Sequence, residues 1–432
     1  MTTLTIGGGQ VLTPELDVTT ADVLVDTDSG EILAVEDPGE LGGDDYLDAS
    51  GGLVIPGLVN AHTHVAMTLF RGHADDKELD AWLQEDIWPV EAELTAEDVR
   101  AGTRLGIAEM IRTGTTAFAD MYFFMEEVAD VVSETGIRAM LGSGCITVGK
   151  DDEEAHEDFE RGLEFARAYD GHSQGRIQTM FNPHSLTTVG QSFYEEYVPV
   201  AREEEIPIHI HANETENEVD PLVEEHGERP LEYAEDLDVL GEDSFIAHGV
   251  HVDEHEQELL ADTGTAVIHC PASNMKLASG MAPIQSMLDA GVTVGLGTDG
   301  AASNNDLDMF DEMRDAAMVG KLATMDASAV PAEAVVEMAT QGSADALGFD
   351  SGRVEAGANA DLAVVDLDAE HLKPAHDLVS HLTYAVKGSD VCHTICDGEV
   401  LMEDRELQTM DLDAVKEAAG DHAEALVDRA AN

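Results

Sequence analysis

Eight short apolar, β-branched stretches recur along the middle of the chain, at 53–59, 115–120, 138–144, 177–184, 207–214, 244–250, 265–271 and 292–300. Amphipathic helical stretches lie between several of them, such as 96–113 and 126–135. This alternation leaves few folds open. Parallel strands need a crossover to follow one another, and a helix is the usual crossover. Eight such units predict a (β/α)8 barrel of TIM type, with active-site residues at the C-terminal ends of its strands.

The two ends of the chain read differently. L-T-I-G-G-G-Q-V-L, A-D-V-L-V-D and E-I-L-A-V-E are short strands between Gly, Asp and Pro. The pattern returns in A-D-L-A-V-V-D-L and V-C-H-T-I-C-D-G-E-V-L. These pieces predict one small β-sandwich built from residues 1–55 and 353–410, around a barrel over 56–352. An Ala- and acid-rich surface helix over 411–432 is expected to follow. The length of 432 residues suits a barrel plus a small module.

The polar residues that end several strand stretches have metal-ligand character. His62 and His64 stand at i and i+2, so on a strand they point to one face and can converge on one cation. His211 ends the fifth stretch, His248 the sixth and Asp299 the eighth. Two imidazoles from one strand, a third nitrogen and a carboxylate make a donor set suited to Zn²⁺, with Fe²⁺ or Mn²⁺ also accommodated. Hydrolysis by a metal-activated water is therefore the leading reading. His248 is placed either to ligate the metal or to hydrogen-bond the attacking water and substrate. Glu214, three residues beyond His211, is expected beside the metal as a proton carrier. A two-metal site needs a bridging anion, and the fourth stretch ends F-N-P-H without a lysine to supply one. One ion per chain is expected, leaving His184 free to contact substrate. His251 and His255 read as exposed helix or loop positions. Cys392 and Cys396, with His393 between them, read as buried thiols on a strand.

Together these residues resemble the amidohydrolase superfamily over essentially the whole chain. Within it they are most similar to the 5-methylthioadenosine/S-adenosylhomocysteine deaminases. The motifs are V-I-P-G-L-V-N-A-H-T-H, T-L-F-R-G, W-L-Q-E-D-I-W-P-V-E, N-P-H-S, H-I-H-A-N-E-T, A-H-G-V-H, C-P-A-S-N-M-K-L-A-S-G and G-L-G-T-D-G. The resemblance implies that His62, His64, His211 and Asp299 hold the metal. It implies that Glu91 binds the ribose hydroxyls and that His184 and Glu214 contact the substrate. Glu214, His248 and Asp299 would serve catalysis. The implied reaction is attack of a metal-activated water on C6 of a 5′-substituted adenosine, releasing ammonia and an inosine derivative. One departure is visible. Some members carry an arginine just after the third strand, whereas here the region reads L-G-S-G-C-I-T-V-G-K and Lys150 is the first basic residue. A homocysteine carboxylate is then held weakly, and methylthioadenosine or a 5′-deoxy adenosine is favoured. Rival readings are an adenosine, guanine or cytosine deaminase, a chlorohydrolase, and a non-catalytic metal-binding protein.

Charge bounds the partners and the milieu. Ninety Asp and Glu against 21 Lys and Arg give a formal charge of −69, spread along the chain. No basic stripe is available to neutralise phosphates, so nucleic acid is not expected as a partner. No run reaches the ~18 apolar residues of a membrane span, and the first residues carry no leader pattern. Four cysteines in a chain this long do not suggest a disulfide framework. The expectation is a cytoplasmic protein of a high-salt cell, a homo-oligomer, acting on a small nucleoside.

Overall fold

A computed structural model describes residues 2–431; residues 1 and 432, which close the expected sandwich and terminal helix, lie outside the described residues. The barrel strands are Leu58–Thr63, Thr115–Tyr122, Arg138–Cys145, Ile177–Thr179 with its continuation Asn182–Pro183, Ile208–Ala212, Ser244–His248, Ala266–His269 and Val294–Leu296. They are called the first to the eighth strand below. The first four pair in parallel and in sequence order, as do the last four. Phe181 N donates to Pro207 O at 2.8 Å and His211 N to His184 O at 2.9 Å, joining the fourth strand to the fifth. Asp299 N donates to His62 O at 3.0 Å and links the eighth strand segment back to the first. The interior is filled by Val59, Ala117, Met140, Met180, Phe245 and Ile268, large against small.

The expected first strand, 53–59, proves to be parts of two elements. Gly52–Pro56 pairs antiparallel with Leu362–Asp366 and parallel with Gln10–Leu12 in a seven-stranded sheet outside the barrel. The barrel strand begins only at Leu58. Both pieces are apolar and nothing polar separates them, so periodicity alone could not divide them. Gly57 marks the junction: a Cβ there would meet Thr116 Oγ1 at 2.0 Å, so only glycine lets the chain pass this close to the second strand.

A four-stranded sheet faces the seven-stranded one and is built from Glu31–Glu36, Asp22–Asp26, Thr3–Gly7 and Asp45–Asp48. Their shared core holds Ile6, Val23 and Ile32 from one sheet and Val54, Val364 and Ile395 from the other. Both chain ends thus build a small β-sandwich. Arg138 on the third barrel strand reaches into it, its Nε 2.8 Å from Asp361 Oδ2, and both side chains are buried. Removing one partner of such a pair strands a buried charge.

The terminal helix, Leu412–Ala430, lies on the surface but has a docked stripe of Val415, Ala419 and Leu426. It packs on Ala96–Arg112, where Asp98 accepts from His422 Nδ1 at 2.7 Å and also pairs with Arg429. Among the described residues no helix is long and apolar enough to cross a membrane.

The helix Asp152–Tyr169 shows how the acidic charge is carried. Ala155, Phe159, Leu163 and Ala166 are buried, while Glu153, Glu157, Glu160 and Glu164 face solvent. Like charges three and four residues apart repel along one helix face. At ~1 M salt the Debye length is about 3 Å, and most of this repulsion is screened. The melting temperature is therefore expected to rise from low salt to molar KCl. A melting temperature that stayed flat across that range would count against adaptation to salt.

Candidate active site

The first strand delivers His62 as its penultimate residue and His64 just beyond its end. The fifth strand delivers His211. Ligand atoms of His62, His64 and His211 all lie within 4.8 Å of one another. Each ring is anchored through Nδ1, leaving Nε2 to face inward. His64 Nδ1 lies 2.5 Å from Met121 O, and His211 Nδ1 lies 2.9 Å from His184 O. His62 Nδ1 lies 2.9 Å from His209 Nε2.

Asp299 joins this group from the loop after the eighth strand. That strand is shorter than expected, ending at Leu296, so Asp299 is not on it. Its backbone is left-handed, with φ of 58°, as is that of His248 with φ of 74°. Non-glycine residues adopt this region rarely, and it is often found where a site needs a side chain re-aimed. Asp299 Oδ1 is 3.3 Å from His64 Nε2 and 3.6 Å from His62 Nε2. Its Oδ2 accepts from Ser273 Oγ at 2.7 Å and Ser303 Oγ at 2.8 Å.

The electrostatics call for a cation. Burial pulls His62 down to about 4 against the opposing pull of Asp299. Burial also acts on His64, but hydrogen bonding and charge from Asp299 outweigh it and raise that imidazole to about 9. Burial opposes ionisation of Asp299 as well, yet the two histidines hold it well below the usual carboxylate range. His62 Nε2 is buried without a hydrogen-bond partner while facing this carboxylate. A divalent ion answers the bare nitrogen and the carboxylate charge together, so the donor set fits one.

The other expected residues gather around the same cleft, which has a volume of about 270 Å³. His248 is the last residue of the sixth strand, with Nδ1 3.0 Å from Asn274 Oδ1 and Nε2 3.7 Å from Glu214 Oε2. Burial, with Asp299 adding, raises the Glu214 carboxyl above its ordinary range, while His248 opposes the shift. Burial and the neighbouring histidines lower His184 to about 3. Its Nδ1 contacts Thr188 Oγ1 at 2.9 Å. Glu91 lies on the short helix Trp88–Glu91 and lines the cleft. Burial raises its carboxyl despite a hydrogen bond from Tyr122 OH at 2.7 Å.

Some expected positions lie elsewhere. His255 is exposed, but His251 is half-buried and lies 2.7 Å from Ser279 O through Nε2. Both Cys392 and Cys396 are free thiols on a strand, but only Cys396 is buried as expected; Cys392 is half-buried, and they contact the backbone carbonyls of Val364 and Thr116 respectively. Lys150 lines a second cavity that shares Phe123 and Gly144 with the cleft. Arg161 joins it there, but Asp158 pairs with both cations.

Tyr122, Asn274, Ser273 and His209 were not singled out as functional from sequence. Ser273 and Asn274 stand in the quoted C-P-A-S-N-M-K run, so a signal was present without a role. His209 likewise stands in the quoted H-I-H-A-N-E-T run at i and i+2 with His211, so its signal is present without a role, whereas Tyr122 has none, its partner being 31 residues distant.

The amidohydrolase family model matches residues 53–401. A 5-methylthioadenosine/S-adenosylhomocysteine deaminase of Haloarcula marismortui is 68% identical over 430 residues, covering 100% of both chains. A 5′-deoxyadenosine deaminase of Methanococcoides burtonii is 45% identical, covering 98% of each. Among solved structures, an adenosine deaminase from Xanthomonas campestris with bound zinc superposes with a TM-score of 0.93. It is 37% identical and the match covers 98% of each chain.

Proposed function

The chain belongs to the amidohydrolase family, and from that premise we propose that it deaminates 5′-substituted adenosines hydrolytically, with 5′-methylthioadenosine and S-adenosylhomocysteine as the substrate class. Water adds at C6 of the purine, the exocyclic amine leaves as ammonia, and the inosine derivative remains. One observation carries the reading: a single cleft is lined both by members of the histidine–aspartate group and by Glu91.

His62, His64, His211 and Asp299 would hold one Zn²⁺, and Fe²⁺ or Mn²⁺ would suit the same donors. Such an ion lowers the pKa of a bound water to about 7 and so supplies a nucleophile at neutral pH. With the ion held there, Asp299 would accept one proton from the attacking water and pass it to the departing amine, which leaves as ammonia; the new hydroxyl's proton would restore Glu214 as the C6 carbonyl forms, and His248 would hydrogen-bond the new oxygen at C6. Glu214, kept protonated to higher pH than an ordinary carboxyl by burial, donates to purine N1. His184, held neutral by burial, contacts the substrate as a hydrogen-bonding group without a charge. Glu91 accepts from the ribose diol, with Tyr122 OH fixing one of its oxygens. The Lys150–Asp158 pair leaves little free positive charge for a homocysteine carboxylate. That favours smaller 5′ groups, methylthio or deoxy.

The domain reading assigns 1–55 and 353–410 to a sandwich module, 56–352 to the catalytic barrel and 411–432 to a terminal helix, while within the described residues the pairing of Pro56 with Leu362 carries the sandwich one residue further. The shared core of Val54, Val364 and Ile395 supports the split module. The −69 charge supports a cytoplasm rich in salt. A homo-oligomer is supported by the exposed apolar pair Met318 and Leu322 on one helix.

Ammonia release in molar KCl tests the function, with the chlorotriazine followed by its conversion to the hydroxytriazine. The panel is methylthioadenosine, S-adenosylhomocysteine, 5′-deoxyadenosine, adenosine, adenine, guanine, cytosine and a chlorotriazine. Turnover is expected for the 5′-substituted nucleosides first. Preference for a free base or a chlorotriazine would overturn the assignment. Elemental analysis of active protein should give one divalent ion per chain, because the fourth strand ends Phe181-Asn182-Pro183-His184 with no lysine. Two ions per chain at full activity would refute the single-metal reading.

A further inference from the structure

His209 lies on the fifth strand two residues before His211 and is 1% exposed. Its ring is stacked on Phe245, centroids 4.2 Å apart and planes 16° from parallel. Nδ1 is 2.9 Å from the Phe245 carbonyl oxygen, and Nε2 is 2.9 Å from His62 Nδ1. A carbonyl oxygen only accepts, so His209 Nδ1 carries a hydrogen. The ring is buried and among the described residues no carboxylate contacts it, so an uncompensated imidazolium there would be strongly disfavoured. His209 Nε2 is then an acceptor. His62 must donate through Nδ1, which leaves its Nε2 with a bare lone pair.

We propose that His209 is a positioning residue that fixes the tautomer and ring rotation of His62, so that His62 presents Nε2 to the divalent ion. This inference rests on the metal reading above. The same orientation holds in the other two imidazoles, where Met121 O and His184 O receive the Nδ1 hydrogens. His62 alone relies on a side chain for this, and that side chain is itself locked by a backbone carbonyl. The competing tautomer is clear from the distances. Without an acceptor at Nδ1, His62 places its hydrogen on Nε2, 3.6 Å from Asp299 Oδ1. A proton then occupies the space between two donors that the ion needs.

Three variants separate the two hydrogen bonds of His209. His209→Phe keeps a flat ring against Phe245 and removes both bonds. His209→Asn keeps a donor near the Phe245 carbonyl but does not reach His62. His209→Gln places an amide oxygen close to the position of the imidazole Nε2 and restores an acceptor for His62. Zinc dissociation constants are measured by chelator competition on the full chain in molar KCl, beside the melting temperature of the metal-free protein. Removing outer-sphere partners of ligating histidines weakens metal binding roughly 10–100-fold. The Phe and Asn variants are expected to lose that much, while Gln loses only a few-fold. The melting temperatures of metal-free Asn and Gln variants should not follow this order.

Zinc binding by the Phe variant as tight as in the native chain would overturn the inference and leave the metal reading standing. Equal weakening in the Asn and Gln variants would also overturn it, since a merely structural role predicts that result. If the Phe variant does not fold, the Asn and Gln comparison decides alone. A native chain that binds no divalent ion would remove the metal reading itself, and this inference with it.

Discussion

Replacing Glu214 with glutamine is expected to leave the metal in place and to lower kcat by about 10²–10⁴-fold, the usual contribution of a general acid–base group. The side chain is buried, and its carboxyl is held above the ordinary range mainly by that burial. A carboxyl that holds its proton more tightly than usual is suited to hand one to a ring nitrogen and recover one afterwards. Glutamine has the same length and can still hydrogen-bond, but it has no proton to transfer. Glu214 Oε2 is 3.7 Å from His248 Nε2, and it stands outside the three-histidine group. Metal content should therefore be unchanged in the variant, measured beside single-turnover rates. Near-native rates would assign the proton transfer to another residue. Loss of the ion would place Glu214 among the ligands.

Why some of this was legible in sequence and some was not has a physical basis. His62 and His64 could be paired from sequence because strand periodicity converts a spacing of two into a shared face. The barrel could be read because each strand carries its own local signal. Gly52–Pro56 and Leu58–Thr63 could not be separated, because each is buried along its whole length and neither alternates. Asp299 was expected to end a strand, yet it stands three residues beyond one in a left-handed conformation. No periodicity encodes that turn. The terminal helix looked like a surface element because only three of its side chains, Val415, Ala419 and Leu426, are buried. The contacts that tune the site lay furthest from view. His209 reaches His62 across 147 residues and Tyr122 reaches Glu91 across 31, and neither neighbour is implied by anything local.

Glu91→Ala is expected to cut kcat/KM for nucleosides by tens- to hundreds-fold while affecting adenine little. A carboxylate can accept from both hydroxyls of a vicinal diol, and bonds to a charged group contribute roughly 1.5–3 kcal/mol each. About 1.4 kcal/mol corresponds to a factor of ten, so loss of the equivalent of one such bond gives roughly 10- to 140-fold, the stated range, and full loss of both would exceed it. Tyr122 OH already occupies one lone pair of Oε1 at 2.7 Å, which fixes the carboxylate and leaves its other lone pairs for the sugar. Tyr122→Phe should therefore cost less than Glu91→Ala, because it loosens the acceptor without removing it. A 2′,3′-dideoxy substrate should be poor with the native chain and lose little more with the Ala variant, since the bonds in question are already missing. Identity of the 5′ group should matter less than the diol, because Asp158 neutralises much of the positive charge of Lys150 and Arg161. The comparison that decides is methylthioadenosine, S-adenosylhomocysteine, adenosine and adenine on native and Glu91→Ala protein. Equal losses on all four would mean that Glu91 and Tyr122 support the wall of the cleft and do not read the ribose.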